Sequence, residues 1–195
     1  MKKSLLLLNT GLIILAFCLF NRVNAGELNV GNKVPIFNAN DQDGALWKLE
    51  DYLGKKMIVI YFYPAALTGG CTKQACAYRD YKSKLTELNV EVVGISADPV
   101  KNLKIFEKMH NLNFTLLSDV NGEIANMFGV PLGKGGSITR EVDGKEISLD
   151  RSMSISRWTF IIDLEGNVVW KDSDVDAASD SKKVYDFLTK LETEK

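Results

Sequence analysis

Hydrophobic positions along this chain gather in short blocks whose period changes from continuous runs to roughly every third or fourth residue. Residues 57–63 are almost unbroken apolar, which predicts a central strand covered on both faces. Residues 90–96 predict a second such strand, and the segment 70–88 between them predicts a helix. Asp98-Pro99 opens a further helix with Leu103, Phe106 and Met109 facing inward, since proline in a first helical turn forfeits no hydrogen bond. A short strand is expected at 115–117 and a short helix at 122–128. Residues 157–163 and 167–171 predict strands paired around Glu165-Gly166, and a last helix at 181–192 places Val184, Phe187, Leu188 and Leu191 on one face. Nearer the N-terminus, 36–40 and 45–48 flank Asp43-Gly44, a hairpin signal. The polar, Gly-rich stretch 132–150, with Asp143-Gly144 as a turn, is expected to be an exposed hairpin or loop and receives no role.

Alternation of strands and helices through the middle of the chain indicates an α/β fold with a mainly parallel mixed sheet flanked by helices. The order suits a thioredoxin-like fold with an N-terminal β-hairpin extension. At 195 residues and 46 % hydrophobic, the chain has material for one sizeable core. Residues 1–25 are set apart as a secretory signal peptide. Lys2 and Lys3 precede an apolar run from Leu5 to Phe20, and Val23-Asn24-Ala25 forms a small-residue cleavage site. About 16 mostly apolar residues are marginal for the ~30 Å hydrocarbon core, which disfavours an uncleaved anchor. Bulky Phe17 disfavours lipid attachment at Cys18. The expected product is a single domain, 26–195, exported to a bacterial periplasm and not stably membrane-associated.

Cleavage changes both the charge and the cysteine count. Losing Lys2, Lys3 and Arg22 from 24 basic residues leaves 21 against 25 acidic ones, a balance that gives no reason to expect nucleic acid as a partner. Of three cysteines only Cys71 and Cys76 remain. Cys71 follows an apolar strand and a Pro/Gly loop, at the expected start of a helix, where unpaired N–H groups and partial positive charge favour a thiolate. Gly69 and Gly70 allow a small substrate close to the backbone. Arg157 is the best candidate for an added cation, because a charge opening the apolar segment 157–162 calls for an anionic partner. The pair of thiols points to redox catalysis. On an intact helix Cys71, Ala75 and Tyr78 share one face, whereas Cys76 lies about 140° away with Cα atoms roughly 8–9 Å apart. A disulfide bridges at most ~7 Å, so a Cys71–Cys76 bond requires the first turns to unwind.

The residues Pro64, Thr68 and Cys71 resemble the Pro-x-x-x-Thr-x-x-Cys motif of peroxiredoxins. Cys76, after four intervening residues, is similar to the resolving cysteine of the bacterioferritin-comigratory-protein (peroxiredoxin Q) subgroup. The segments 62–64, 71–80, 94–96 and 157–163 resemble that subgroup as well, and the likeness spans roughly residues 28–192. It implies a thiol peroxidase acting on hydrogen peroxide and organic hydroperoxides, with Cys71 attacking and becoming a sulfenic acid. Thr68 and the Cys71 N–H would orient the peroxide, Arg157 would stabilise the thiolate and the developing oxygen charge, and Pro64 would shield the sulfur. Cys76 would form the intramolecular disulfide, and a thioredoxin-like dithiol protein would reduce it. The resemblance implies no metal or other cofactor, and an intramolecular pair asks for no partner subunit, so a monomer is expected. Gly69 stands where the subgroup usually has Pro, and Gln74 where it commonly has Glu.

Two other readings remain on the residues. A thiol–disulfide oxidoreductase of the same fold normally separates its cysteines by two residues, not four, and leaves Thr68 idle. A thioredoxin-fold copper chaperone would pair the cysteines with a distant histidine, and His110, the only one, reads as a surface or capping residue. Trp47, Trp158 and Trp170 read as packing residues. Gly133-Lys134-Gly135-Gly136 lacks the helix and Ser/Thr of a phosphate loop and reads as a flexible turn.

Overall fold

The apolar runs become neighbouring strands because each can bury both faces only inside a sheet. The computed structural model describes residues 26–194. Residues 1–25, where the expected signal peptide and Cys18 fall, lie outside the described residues. A small antiparallel hairpin, β1 (Asn38–Asn40) and β2 (Leu46–Lys48), comes first, turned by Gly44 at φ 79°. A 3-10 turn at Leu49–Asp51 leads into β3 (Met57–Phe62), which is followed by α1 (Gly69–Glu87) and β4 (Val90–Ser96). Next come α2 (Val100–His110), β5 (Thr115–Ser118) and α3 (Glu123–Phe128). The chain then makes β6 (Leu132–Val142), β7 (Lys145–Ile155), β8 (Thr159–Ile162), β9 (Val168–Asp172) and α4 (Asp180–Thr193). The five-stranded sheet has the order β5-β4-β3-β8-β9. It is parallel across β3, β4 and β5 and antiparallel where β8 and β9 join, so the mixed α/β sheet expected is the one observed.

Alternation along β3 divides the core in two. Ile58, Ile60 and Phe62 face Phe37, Trp47, Phe128 and Phe160, whereas Val59, Tyr61 and Tyr63 face Tyr78, Phe106 and Leu188 beneath α1, α2 and α4. Cys71 belongs to the second layer.

Three details depart from the sequence reading. Met109 is 40 % exposed, while Leu103 and Phe106 are fully buried. Asn111 adopts a left-handed conformation (φ 49°) at the end of α2 and turns Leu112 into the core in its place. Arg157 lies in the connection before β8 rather than opening the strand, which frees its side chain to reach across to α1. The stretch 132–150 belongs to a regular ribbon of two 11-residue strands, longer than expected and reaching Ile155, with Asp143 and Gly144 both at positive φ in its turn. Leu149 on its inner side is fully buried in the Cys71 layer.

Candidate active site

After Tyr63 the chain leaves the sheet and must reverse into α1 within a few residues. Pro64, half-buried, begins that loop. The Ala66 N–H donates to Asp98 Oδ2 at 2.7 Å, and Leu67 takes a left-handed conformation, φ 60°. A non-glycine residue there stores of order 1 kcal/mol of strain and persists only when its surroundings impose it. Arg140 of β6 helps impose it, its Nε donating to the Leu67 carbonyl at 3.0 Å. Thr68 is extended (φ −94°, ψ 153°) at the N-cap of α1, and its hydroxyl donates to Ala65 O at 2.9 Å instead of capping the helix. That bond uses the hydroxyl proton, so the lone pairs of Thr68 Oγ1 are left for an incoming O–H donor.

Asp98 is the anchor of the loop. Its carboxylate, fully buried, also accepts from Ser96 Oγ at 3.0 Å, Asn102 Nδ2 at 3.1 Å and Arg151 Nε of β7 at 3.0 Å. Asn102 bonds in addition to the Asp150 carbonyl at 3.2 Å. The β6–β7 ribbon is thereby tied to the loop at two points, through Arg140 and through Arg151.

Cys71 is the third residue of α1. Its amide, like those of Gly69 and Gly70, has no acceptor within the helix, because the first intrahelical bond runs from Thr72 N to Thr68 O at 2.8 Å. The thiol is 1 % exposed. Arg157 Nη2 donates to Cys71 Sγ at 3.3 Å, and the guanidinium lies so close over the first turn that a Cβ at Gly70 would come within 3.3 Å of Nη2. Its other arm, Nη1, donates to Gln74 Oε1. Gln74, fully buried one helical turn after Cys71, donates from Nε2 to Asp180 Oδ2 at 2.6 Å. The same oxygen accepts from Tyr78 Oη at 2.7 Å and Thr159 Oγ1 at 3.0 Å. Burial pushes the Asp180 carboxyl above its ordinary range, a shift opposed by these three donors. Burial likewise raises the Tyr61, Tyr63 and Tyr78 phenols well above theirs, so all three stay neutral around the sulfur.

Cys76 is half-buried, and both thiols are free on an unbroken α1. At helical rise and radius their Cα atoms stand roughly 8–9 Å apart, too far for a bond without a change in the helix. His110 ends α2, its ring edge-on to Phe106 at 5.6 Å, and burial and Arg79 lower its pKa.

Of the residues singled out from the sequence, Cys71 and Arg157 are in direct contact. Thr68 stands at the N-cap position of the same turn without capping it, Pro64 opens the same loop, and Cys76 sits one further turn along α1. Asp98 reads from the sequence only as part of a helix start, and Arg140, Arg151 and Asp180 carry no role there. Asp98 had a faint signal, an acid between a buried strand and a helix-starting proline. Asp180 looked like any acid in a first helical turn.

The arrangement joins a buried sulfur to a positive helix end and a guanidinium, with an acceptor hydroxyl nearby and a second thiol within reach only after unwinding. The sequence pattern of the AhpC/TSA family matches residues 30–171. A putative peroxiredoxin bcp of Coxiella burnetii is 40 % identical over 152 residues, 77 % of this chain and 93 % of that protein. Peroxiredoxin Bcp of Escherichia coli is 39 % identical over 141 residues, 72 % of this chain and 83 % of that protein. Among solved structures, the peroxidoxin BcpB of Mycobacterium tuberculosis superposes with a TM-score of 0.71 at 32 % identity, covering 85 % of this chain and 99 % of that one. Pattern, relatives and thioredoxin-like architecture agree, and the chain belongs to the AhpC/TSA family of peroxiredoxins, in its Bcp/peroxiredoxin Q branch.

Proposed function

We propose that the chain is an exported two-cysteine peroxidase that reduces hydrogen peroxide and organic hydroperoxides through an intramolecular disulfide. The observation that carries the reading is the 3.3 Å contact of Arg157 Nη2 with the Cys71 sulfur at an unpaired helix N-terminus. The Cys71 thiolate attacks the terminal peroxide oxygen as the O–O bond breaks. Sulfur keeps that oxygen as a sulfenic acid, and the other oxygen takes a proton from water and leaves as water or an alcohol. Arg157 and the Cys71 N–H stabilise charge on the oxygens during the displacement. The Thr68 hydroxyl accepts the peroxide O–H, and Pro64 limits access of water to the sulfur. The near-complete burial of Cys71 restricts attack to a small, unhindered –OOH group.

Unwinding of the first turns of α1 then brings Cys76 to the sulfenic acid. Its thiolate displaces hydroxide, which leaves as water once protonated, and the S–S bond forms. A thioredoxin-like dithiol protein reduces the disulfide by exchange, itself becoming oxidised. The pair lies within one chain, so a monomer suffices. The apolar run and small-residue site in residues 1–25 support export to the periplasm, tested by the N-terminal mass of the secreted protein.

Peroxide consumption tests the mechanism. Cys71→Ser should abolish turnover, and Cys76→Ser should consume about one equivalent and accumulate sulfenic acid. Undiminished turnover in Cys71→Ser would overturn the reading.

A further inference from the structure

We propose that Asp180 is a positioning residue for the Cys71 reaction, acting through Gln74 to hold Arg157 against the sulfur. The inference rests on the peroxidase reading above and adds a residue to it. Arg157 has two arms, and only one touches Cys71. The other needs an acceptor to fix the guanidinium plane, and that acceptor is the amide oxygen of Gln74, not a carboxylate. Arg157 carries only donors and so takes the amide oxygen of Gln74, but this fixes the guanidinium only if the amide is itself held in place and its buried Nε2 has an acceptor of its own.

Asp180 supplies that acceptor. Its Oδ2 serves as acceptor to Tyr78, Thr159 and Gln74 together, and drawing Gln74 Nε2 inward leaves Oε1 facing Arg157. Donors from α1 and β8 therefore converge on the first residue of α4, and 106 residues separate Gln74 from the acid that orients it. A carboxylate directly beneath Arg157 would bind it more strongly, but would also set a negative charge nearer the attacking thiolate. With a neutral amide in between, the acid is kept one residue further away while its orienting effect passes on.

The test uses the full-length protein and its rate of reaction with hydrogen peroxide. Asp180→Ala and Gln74→Met each cut the chain of contacts, and each should slow Cys71 oxidation about tenfold, the loss typical when a partner that orients a functional group is removed. In an Arg157→Ala background the same substitutions should change the rate less than about twofold, since nothing is left to orient. A merely structural acid would instead cost the same factor in both backgrounds, and that result would overturn the proposal. Should Asp180→Ala fail to fold, Gln74→Met decides alone, because it keeps Asp180 bonded to Tyr78 and Thr159; an unchanged rate there also overturns it. Wild-type protein that consumes no peroxide would defeat the peroxidase reading itself. Wild-type turnover with unaltered variants removes only the role given to Asp180.

Discussion

On the N-terminal side of Cys71, residues 64–68 are bound by two other parts of the chain, namely Asp98 and the β6–β7 ribbon, which reaches the loop directly through Arg140 and braces Asp98 through Arg151. The first turn of α1, which carries Cys71 itself, has by contrast two exposed glycines, no side-chain cap, and nothing within 4 Å of where a Gly69 side chain would begin. The loop that shapes the site is over-determined, whereas the turn that carries the sulfur is free on its outer face and tied only inward, through Cys71 to Arg157 and through Gln74 to Arg157 and Asp180. Proposed attack and proposed resolution need these opposite properties. A peroxide must meet a fixed sulfur, and Cys76 must meet a mobile one.

The largest way to break the contrast is Arg151→Ala. Asp98 and Arg151 form a buried ion pair, 0 % and 5 % exposed, and removing one partner of such a pair costs about 3–5 kcal/mol. Asp98 keeps its other donors, so a loss of about 3 kcal/mol in urea unfolding is expected. A change below about 0.5 kcal/mol, the scatter of ordinary surface substitutions, would mean that the ribbon does not clamp the loop.

Gly69→Pro sharpens the contrast by stiffening the loose side. Gly69 is the first helical residue, where proline is favoured, and Thr68 before it already has the extended conformation that a following proline demands. Stability should rise by about 0.4–1 kcal/mol in the same assay. Disulfide closure after one equivalent of peroxide, followed by mass spectrometry of the alkylated protein, should slow. Faster closure would contradict the picture of a turn that must unwind.

The smallest effect is a pH dependence. The native Asp180 carboxyl lies above its unfolded value, so the folded chain takes up a proton there before the unfolded chain does. Its contribution to stability is full below the ordinary carboxyl range and is lost as pH rises through the raised native value. Wild-type stability should therefore gain on Asp180→Asn, which has no such proton, as pH falls from neutral through that window. A difference in melting temperature that stays flat with pH would show that burial does not perturb the group.

Much of this was legible along the chain. Cys71 announced itself by strand, loop and glycines in succession, and Arg157 by a charge beside apolar residues. Both signals are local. The partners of buried acids are not, since Asp98 reaches Arg151 across 53 positions and Asp180 reaches Gln74 across 106, and neither spacing has a period to read. The ribbon was missed as a structural part of the site because its strands are mostly polar and exposed, and only its inner residues, such as Leu149, reveal which side is covered.

Gln74 lies between Cys71 and Cys76 in sequence, inside the turns that must open for the two sulfurs to meet. Under the proposed mechanism, forming the disulfide pulls Gln74 away from both Arg157 and Asp180. The oxidised chain is thereby disarmed until reduced. A sulfenic acid that lingers in the closed helix faces a second peroxide molecule and irreversible passage to sulfinic acid. The strength of the Gln74 tether therefore sets a race between resolution and self-inactivation, and a tighter grip on the guanidinium would be traded against the number of cycles one molecule survives.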